Sequence, residues 1–218
     1  MAGTRYKFII FDLDGTLIDS LTDLTETLNY ALRKAGKTRV YSTKETRQWV
    51  GRGIKPFLID ALGTDYSPEL FKQVRENYFL HYRKNCNHKT RCYDGIPELL
   101  SQINSDRKMA VFSNKNTEFI PVLLNHFGIE NYFSKYLGGD NPAGRKPAPG
   151  GVLNMMSELG VTPDETLIVG DMPVDIHTAR SASIASCAVL WGYCSAAELN
   201  EHLPEHMIHT PSELLEII

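Results

Sequence analysis

The chain has 218 residues, 42% hydrophobic and 22% charged, with a formal net charge of -3. That length can bury a sizeable core in one large domain, or in one domain with an insertion, and the balance is that of a soluble globular protein rather than a disordered or fibrous one. The charge excludes the electrostatic footprint of a nucleic-acid binder, no Lys/Arg cluster marks a membrane surface, and no segment is long enough for a transmembrane helix. The N-terminus, Met1 to Lys7, carries no apolar stretch and cleavage site of a signal peptide. Cys86, Cys92, Cys187 and Cys194 lack CxxC spacing, so reduced thiols and a cytoplasmic location are expected.

Phe8-Ile9-Ile10-Phe11 predicts a strand buried on both faces, running into Asp12-Leu13-Asp14-Gly15-Thr16. If the backbone stays extended there, Asp12 and Asp14 share a face at the strand's C-terminal end. Two carboxylates so placed repel, and a hard divalent cation would relieve them. A polar turn is the alternative. Ser20 is expected to cap a helix in which Leu21, Leu24, Leu28, Ala31 and Leu32 recur at helical spacing before Gly36. Thr43 is expected to cap a second helix, Gly51-Arg52-Gly53 makes a turn, and Ser67-Pro68 opens a long helix striped by Leu70, Phe71, Val74, Tyr78 and Tyr82. Tyr78, Phe79 and Tyr82 are assigned to helix packing.

From residue 86 onward, strands alternate with helices, the pattern of a parallel α/β sheet. Ile96–Ile103 is a predicted helix, Met109–Phe112 a buried strand, and Thr117 to Gly128 a helix that tolerates Pro121 near its start. Tyr136-Leu137, Thr166–Val169, Ile184–Leu190 and Met207-Ile208 are further strands, with a helix from Gly151 to Leu159. An all-helical block thus interrupts an α/β chain just after its first strand. The expected architecture is a Rossmann-like core of residues 1–16 and 86–218, its mainly parallel sheet flanked by helices, with an all-α helical-bundle cap at 17–85.

Three further polar clusters accompany the later segments. Ser113-Asn114-Lys115 follows a strand and offers hydrogen-bond donors to a phosphoryl oxygen, or caps a helix. Lys146, ahead of Pro147 and Pro149, is a cation on a stiffened backbone suited to clamping phosphate, or a solvated loop lysine. Gly170-Asp171, with Asp175 four residues on, delivers carboxylates from another buried strand, or caps the next helix. His202, His206 and His209 receive no metal role, because Pro204 breaks the helix their spacing would need.

Together these clusters resemble the haloacid dehalogenase superfamily of hydrolases. Asp12-Leu13-Asp14-Gly15-Thr16 matches the first motif, Ser113-Asn114 the second, Lys146-Pro147 the third, and Gly170-Asp171 with Asp175 the fourth. Met172-Pro173 departs from the small polar residue usual after the first aspartate of the fourth motif. Within the superfamily, Asp12 to Ser20 and Val50-Gly51-Arg52-Gly53 are most similar to phosphoglycolate phosphatases.

The resemblance implies a Mg²⁺-dependent phosphatase acting on a small phosphorylated metabolite, as a monomer or homodimer. It implies Asp12 as nucleophile forming an aspartyl-phosphate, and Asp14 as general acid and base. Asp12, the main-chain carbonyl of Asp14, Asp171 and Asp175 would serve the metal, while Ser113, Asn114, Lys146 and Thr16 would serve the substrate. Asp14 speaks for phosphate chemistry, since the dehalogenases of the superfamily lack it. Arg52 is expected at the non-transferred end of the substrate, with a solvated cap-loop arginine as the alternative. The alternatives within the resemblance are a phosphosugar mutase like β-phosphoglucomutase, a pyrophosphatase, a sugar phosphatase and a nucleotidase. A non-catalytic binding protein is disfavoured by intact Asp12, Asp14, Lys146 and Asp171.

Overall fold

The structure is a computed structural model and describes residues 5–218. The first four residues of the expected core, and most of the segment assessed for a signal peptide, therefore lie outside the described residues.

The chain opens with β1 (Phe8–Phe11) and β2 (Ile18–Asp19) and then enters four helices, α1 (Leu21–Lys34), α2 (Thr43–Arg47), α3 (Ile54–Leu62) and α4 (Pro68–Asn85). It leaves them through β3 (Arg91–Cys92), which pairs antiparallel with β2, so that a two-stranded clasp closes the base of the helical block. The remainder is α5 (Ile96–Ile103), β4 (Lys108–Phe112), α6 (Ile120–His126), β5 (Lys135–Leu137), α7 (Gly150–Leu159), β6 (Thr166–Gly170), α8 (Pro173–Ala182), β7 (Ala185–Val189), α9 (Ala196–Asn200), β8 (His206–Ile208) and α10 (Leu214–Ile217).

Six strands form one parallel sheet in the order β5-β4-β1-β6-β7-β8. β1 lies between β4 and β6, with Phe8 to Phe11 in register with Lys108 to Val111 on one side and Thr166 to Val169 on the other. The chain order reverses at β1, and the carboxyl edge at such a switch point is where open α/β sheets bind ligands.

Burial on both faces explains why these strands read as unbroken apolar runs. Phe8, Ile10, Ala110, Phe112 and Ile168 pack with Val152, Met155, Ala179 and Ala182 of α7 and α8. Ile9, Phe11, Met109, Val111, Leu167 and Val169 belong to the opposite face, with Leu99, Leu100, Leu123 and Leu124 of α5 and α6. That alternation is the period of two expected of a strand. The second cluster continues into the helical block through Leu24, Leu28, Phe57, Tyr78 and Tyr82, so one apolar core spans both parts.

Local departures from expectation have local causes. Ser20 precedes α1 but makes no side-chain cap, because its hydroxyl donates to Asp14 instead. Asp19 accepts the Leu21 amide at 3.2 Å in its place. Asp23, three residues into the expected cap, is turned away to accept the Lys89 and Thr90 amides and the Thr90 hydroxyl at 2.7–3.1 Å, tying α1 to the return strand. The cap of α2 is Ser42 rather than Thr43, in a reciprocal box with Glu45. Ser67 caps α4 as expected, accepting the Leu70 amide at 3.1 Å ahead of Pro68. No helix among the described residues is long and apolar enough to cross a membrane.

Candidate active site

β1 ends at Phe11, and the chain turns at once: the Thr16 and Leu17 amides both donate to the Leu13 carbonyl. The extended path that would have put Asp12 and Asp14 on one face is therefore absent. The two carboxylates line the same cavity but take different partners.

Asp12 joins Asp171, at the end of β6, and Asp175, in the first turn of α8. One oxygen from each of the three lies within 4.8 Å of the others, and all three side chains are buried. Lys146, only 1% exposed, reaches into this cluster with Nζ 2.8 Å from Asp12 and 2.6 Å from Asp175. Three carboxylates against one ammonium leave an excess of two negative charges.

Burial, followed by the charges of Asp12 and Asp175, pushes the Asp171 carboxyl well above its ordinary value, against the lowering by the Tyr193 amide and Thr16 hydroxyl. Asp175 is also raised: burial and the nearby Asp12 outweigh the pull of Lys146. Burial works against the Lys146 charge too, yet Asp12 and Asp175 overcome it and hold the ammonium above its ordinary value. Asp12 Oδ1 faces Lys146 as an ion pair without hydrogen-bond alignment and has no other partner among the described residues. A buried, misaligned acceptor beside two destabilised carboxylates, all oxygen donors with a net charge of about −2, is a donor set that fits a hard divalent cation.

Asp14 belongs to a second, neutral arrangement. Lys115 Nζ lies 2.9 Å from each Asp14 oxygen, and the Lys115 side chain is 5% exposed. Ser20 donates to the same carboxylate. The Tyr193 hydroxyl accepts the Ser20 amide at 3.0 Å, while the Tyr193 amide donates to Asp171 at 2.8 Å. Tyr193 thus links the acidic cluster to the start of the helical block.

The other expected residues fall as follows. The Ser113 hydroxyl oxygen accepts the Lys115 amide at 3.3 Å, which leaves its proton for a ligand in the cavity it lines. Asn114 is placed differently: its amide nitrogen donates to the carbonyls of Gly51 at 2.8 Å and Lys146 at 3.0 Å. Both protons are spent on main chain, so this side chain ties the cap loop to the Lys146 loop and has no donor left for phosphate. The Thr16 hydroxyl is likewise taken, by Asp171 at 2.9 Å, and serves to orient that carboxylate. Arg52 pairs with Asp60 on α3, is 50% exposed, and is not among the residues lining the cavity.

Met172, the unusual residue of the fourth motif, keeps its amide on Asp175 at 3.1 Å, and its side chain fills the space beside Gly51. The cavity is walled by Trp49, Val50, Phe57, Tyr78, Phe79, Tyr82 and Phe119, so the aromatic residues of α4 both pack the core and face the ligand space.

Sequence reasoning missed Lys115, Ser20 and the loop after β7. In that loop Trp191 donates to the Thr16 carbonyl at 3.0 Å, and Gly192 passes so close to Asp171 that a Cβ there would lie 2.3 Å from the Asp171 Cβ. The available signal was positional, since Trp191-Gly192-Tyr193 follows the fifth strand of the sheet at the same edge. Gly15 is constrained from the other side, with φ +90° and no room for a side chain beside Asp171.

Residues 9–189 match the profile of the family described as haloacid dehalogenase-like hydrolase. The chain belongs to that family. A phosphoglycolate phosphatase of Aquifex aeolicus (strain VF5) is 33% identical over 213 residues, covering 97% of this chain and 96% of the relative. One from Aliivibrio fischeri (strain ATCC 700601 / ES114) is 31% identical over 206 residues, covering 91% and 90%. The crystal structure of a predicted phosphoglycolate phosphatase from Haemophilus somnus 129pt superposes with a TM-score of 0.92 at 28% identity, covering 99% of each chain. This chain is accordingly a hydrolase of the haloacid dehalogenase-like family, homologous to phosphoglycolate phosphatases over nearly its whole length. The helical region α1–α4 stands where that family carries a cap.

Proposed function

We propose that the protein hydrolyses a small phosphomonoester of the phosphoglycolate type, with Mg²⁺ and through an aspartyl-phosphate on Asp12. The observation that carries this reading is the division of the two motif aspartates between a net-negative cluster and a neutral pair, within one cavity and with full-length homology to phosphoglycolate phosphatases behind it. The core is taken as residues 1–16 and 86–218 and the cap as 17–85, with the β2–β3 clasp as the joint between them.

Asp12 would attack phosphorus and displace the leaving alkoxide, so that a P–O bond forms on Asp12 as the ester P–O bond breaks. Asp14, on the neighbouring turn, would enter the cycle protonated, give that proton to the alkoxide, and then recover one from the water that releases phosphate. Lys146 stays charged in its carboxylate surroundings and would hold an equatorial phosphoryl oxygen together with the Ser113 proton. Asp12, Asp171, Asp175 and the Asp14 main-chain carbonyl would hold Mg²⁺, which when bound neutralises phosphoryl charge that the cluster's own negative excess would otherwise repel. Thr16 and Tyr193 would keep Asp171 oriented for that role. Asn114 is read as a brace between cap loop and core rather than a phosphate donor. Four free cysteines agree with a reducing, cytoplasmic setting.

The test is phosphate release from a panel of 2-phosphoglycolate, sugar phosphates, nucleotides and pyrophosphate, with and without Mg²⁺. Release should require the metal, favour 2-phosphoglycolate, and fall by at least about 1,000-fold in Asp12→Asn. Turnover that survives Asp12→Asn, or a sugar phosphate isomerised without release, would overturn the reading.

A further inference from the structure

Lys115 is the only cation lining the cavity among the described residues. An ammonium has three protons to donate. Two lie toward the Asp14 oxygens at 2.9 Å, and the third finds no protein acceptor among the described residues; Nζ stands 5.0 Å from the centre of the Tyr82 ring. The Tyr82 hydroxyl is in the same condition: the residue is 1% exposed, lines the cavity, and its hydroxyl has no hydrogen-bond partner among the described residues. Buried hydroxyls are normally paired, because leaving one unpaired forfeits its hydration. Two unspent donors on one wall, one of them charged, call for an anionic acceptor.

We infer that Lys115 and Tyr82 form a subsite for a carboxylate on the leaving group, an inference that rests on the phosphomonoesterase reading above and names its substrate class. Distance selects the ligand. A proton passes from Asp14 to the leaving oxygen over about 2.6–3.2 Å. Lys115 contacts the same carboxylate at 2.9 Å, so it reaches acceptor atoms two or three bonds beyond that oxygen. In 2-phosphoglycolate a single methylene separates the leaving oxygen from the carboxylate, whereas the second phosphate of a sugar bisphosphate lies too far along the chain.

Volume agrees. The cavity offers ≈ 60 Å³ to the centres of water-sized groups, the scale of a small ligand. Its walls at Trp49, Phe57, Phe79 and Phe119 offer no acceptors to sugar hydroxyls. Arg52, already paired with Asp60 and outside the cavity, is not the cation that reads this group.

The experiment compares kcat/KM for 2-phosphoglycolate and its neutral isostere 2-phosphoglycolamide, by phosphate release, in wild type, Lys115→Met, Tyr82→Phe and Arg52→Ala. Both substrates depend on Asp14 equally, so any disturbance of Asp14 in Lys115→Met cancels in the ratio. Wild type should favour the carboxylate by roughly 100-fold or more, because a buried donor pair is left unmatched by the amide. Lys115→Met should bring the ratio to within about threefold, mainly through KM for the carboxylate, and Tyr82→Phe should lower it about fivefold. Arg52→Ala should keep it.

A wild-type ratio near one, or a ratio that survives Lys115→Met, overturns the subsite; a ratio lost only in Arg52→Ala transfers the role to Arg52 and also overturns it. A second arm measures binding of 3-phosphonopropionate and propylphosphonate by calorimetry with Mg²⁺. The carboxylate analogue should bind at least about tenfold tighter to wild type and no tighter to Lys115→Met. If no phosphomonoester is turned over, the phosphatase reading fails, and this binding ratio still decides for or against the subsite.

Discussion

Replacing Lys146 with methionine removes the one positive charge from a buried group of three carboxylates, while keeping nearly the same volume. At an effective dielectric constant of about 20, unit charges 2.8 Å and 2.6 Å apart each attract by about 6 kcal/mol. Much of that is offset by taking the ammonium out of water, which costs several kcal/mol, so the net loss should be about 3–5 kcal/mol. In a chain of this length, that is a fall in Tm of roughly 6–20 °C. Lys146 has a folded value raised above its ordinary 10.5, so its contribution is complete below that value and is lost only at still higher pH. Between pH 5 and 8 it adds no slope of its own.

The variant behaves differently, because carboxylates deprived of their counter-charge keep protons in the folded state that the unfolded chain releases. Its stability therefore rises as pH falls, and the gap to wild type narrows from pH 8 to pH 5. Guanidinium melts of both proteins in EDTA at the two pH values test this. A gap below about 1 kcal/mol at pH 8, or one as wide at pH 5, would refute a charge-based account and leave only packing.

Asp171 is raised by burial and by its neighbours, so the folded state holds a proton between the ordinary 3.8 and the raised value, and stability falls as pH rises through that window. In EDTA at pH 8, Asp171→Asn should therefore melt above wild type, by about 1.4 kcal/mol or 3–6 °C for each unit of the shift, and the advantage should shrink toward pH 4. Mg²⁺ should reverse the order; a wild type that melts higher in EDTA at pH 8 contradicts the assignment. Asn114→Ala removes the bonds to the Gly51 and Lys146 carbonyls and should cost about 1–3 kcal/mol. If the side chain braces the cap loop, hydrogen exchange at residues 50–53 should speed up in that variant, and unchanged exchange there would return Asn114 to the phosphate.

The elements that periodicity could resolve were legible because each is buried in one way only. β1, β4 and β6 are covered on both faces and read as apolar runs; α5 was placed to the residue by Asp94-Gly95 and its own apolar spacing. The side-chain partners that escaped the sequence did so for a shared physical reason. Ser20, Thr16 and Asn114 carry short polar groups that satisfy whichever partner the fold brings nearest. The partner is Asp14 for Ser20, Asp171 for Thr16, and two carbonyls for Asn114. Those partners are distant in sequence or set by a turn that hydropathy does not report. Lys115 was quoted with its motif but given no role, since nothing local distinguishes a buried lysine from a solvated one.

The separation of Asp12 from Asp14 follows from a single backbone event. Had β1 run on through Leu13, both carboxylates would have faced the same cluster, which would then hold four acids against Lys146. The turn at Leu13 sends Asp14 to Lys115 instead, so the net charge near Asp12 stays at a level one divalent cation can balance. It also brings a second ammonium to the mouth of the sheet without adding it to the acidic cluster. That ammonium is held by a residue directly after the Ser113-Asn114 motif, on the core, and not by the cap. Discrimination between leaving groups would then rest jointly on Lys115 from the core and Tyr82 from α4, which meet on one wall of the cavity. A cap movement that displaced Tyr82 would weaken recognition of the carboxylate while leaving Asp12, Lys146 and Asp171 in place.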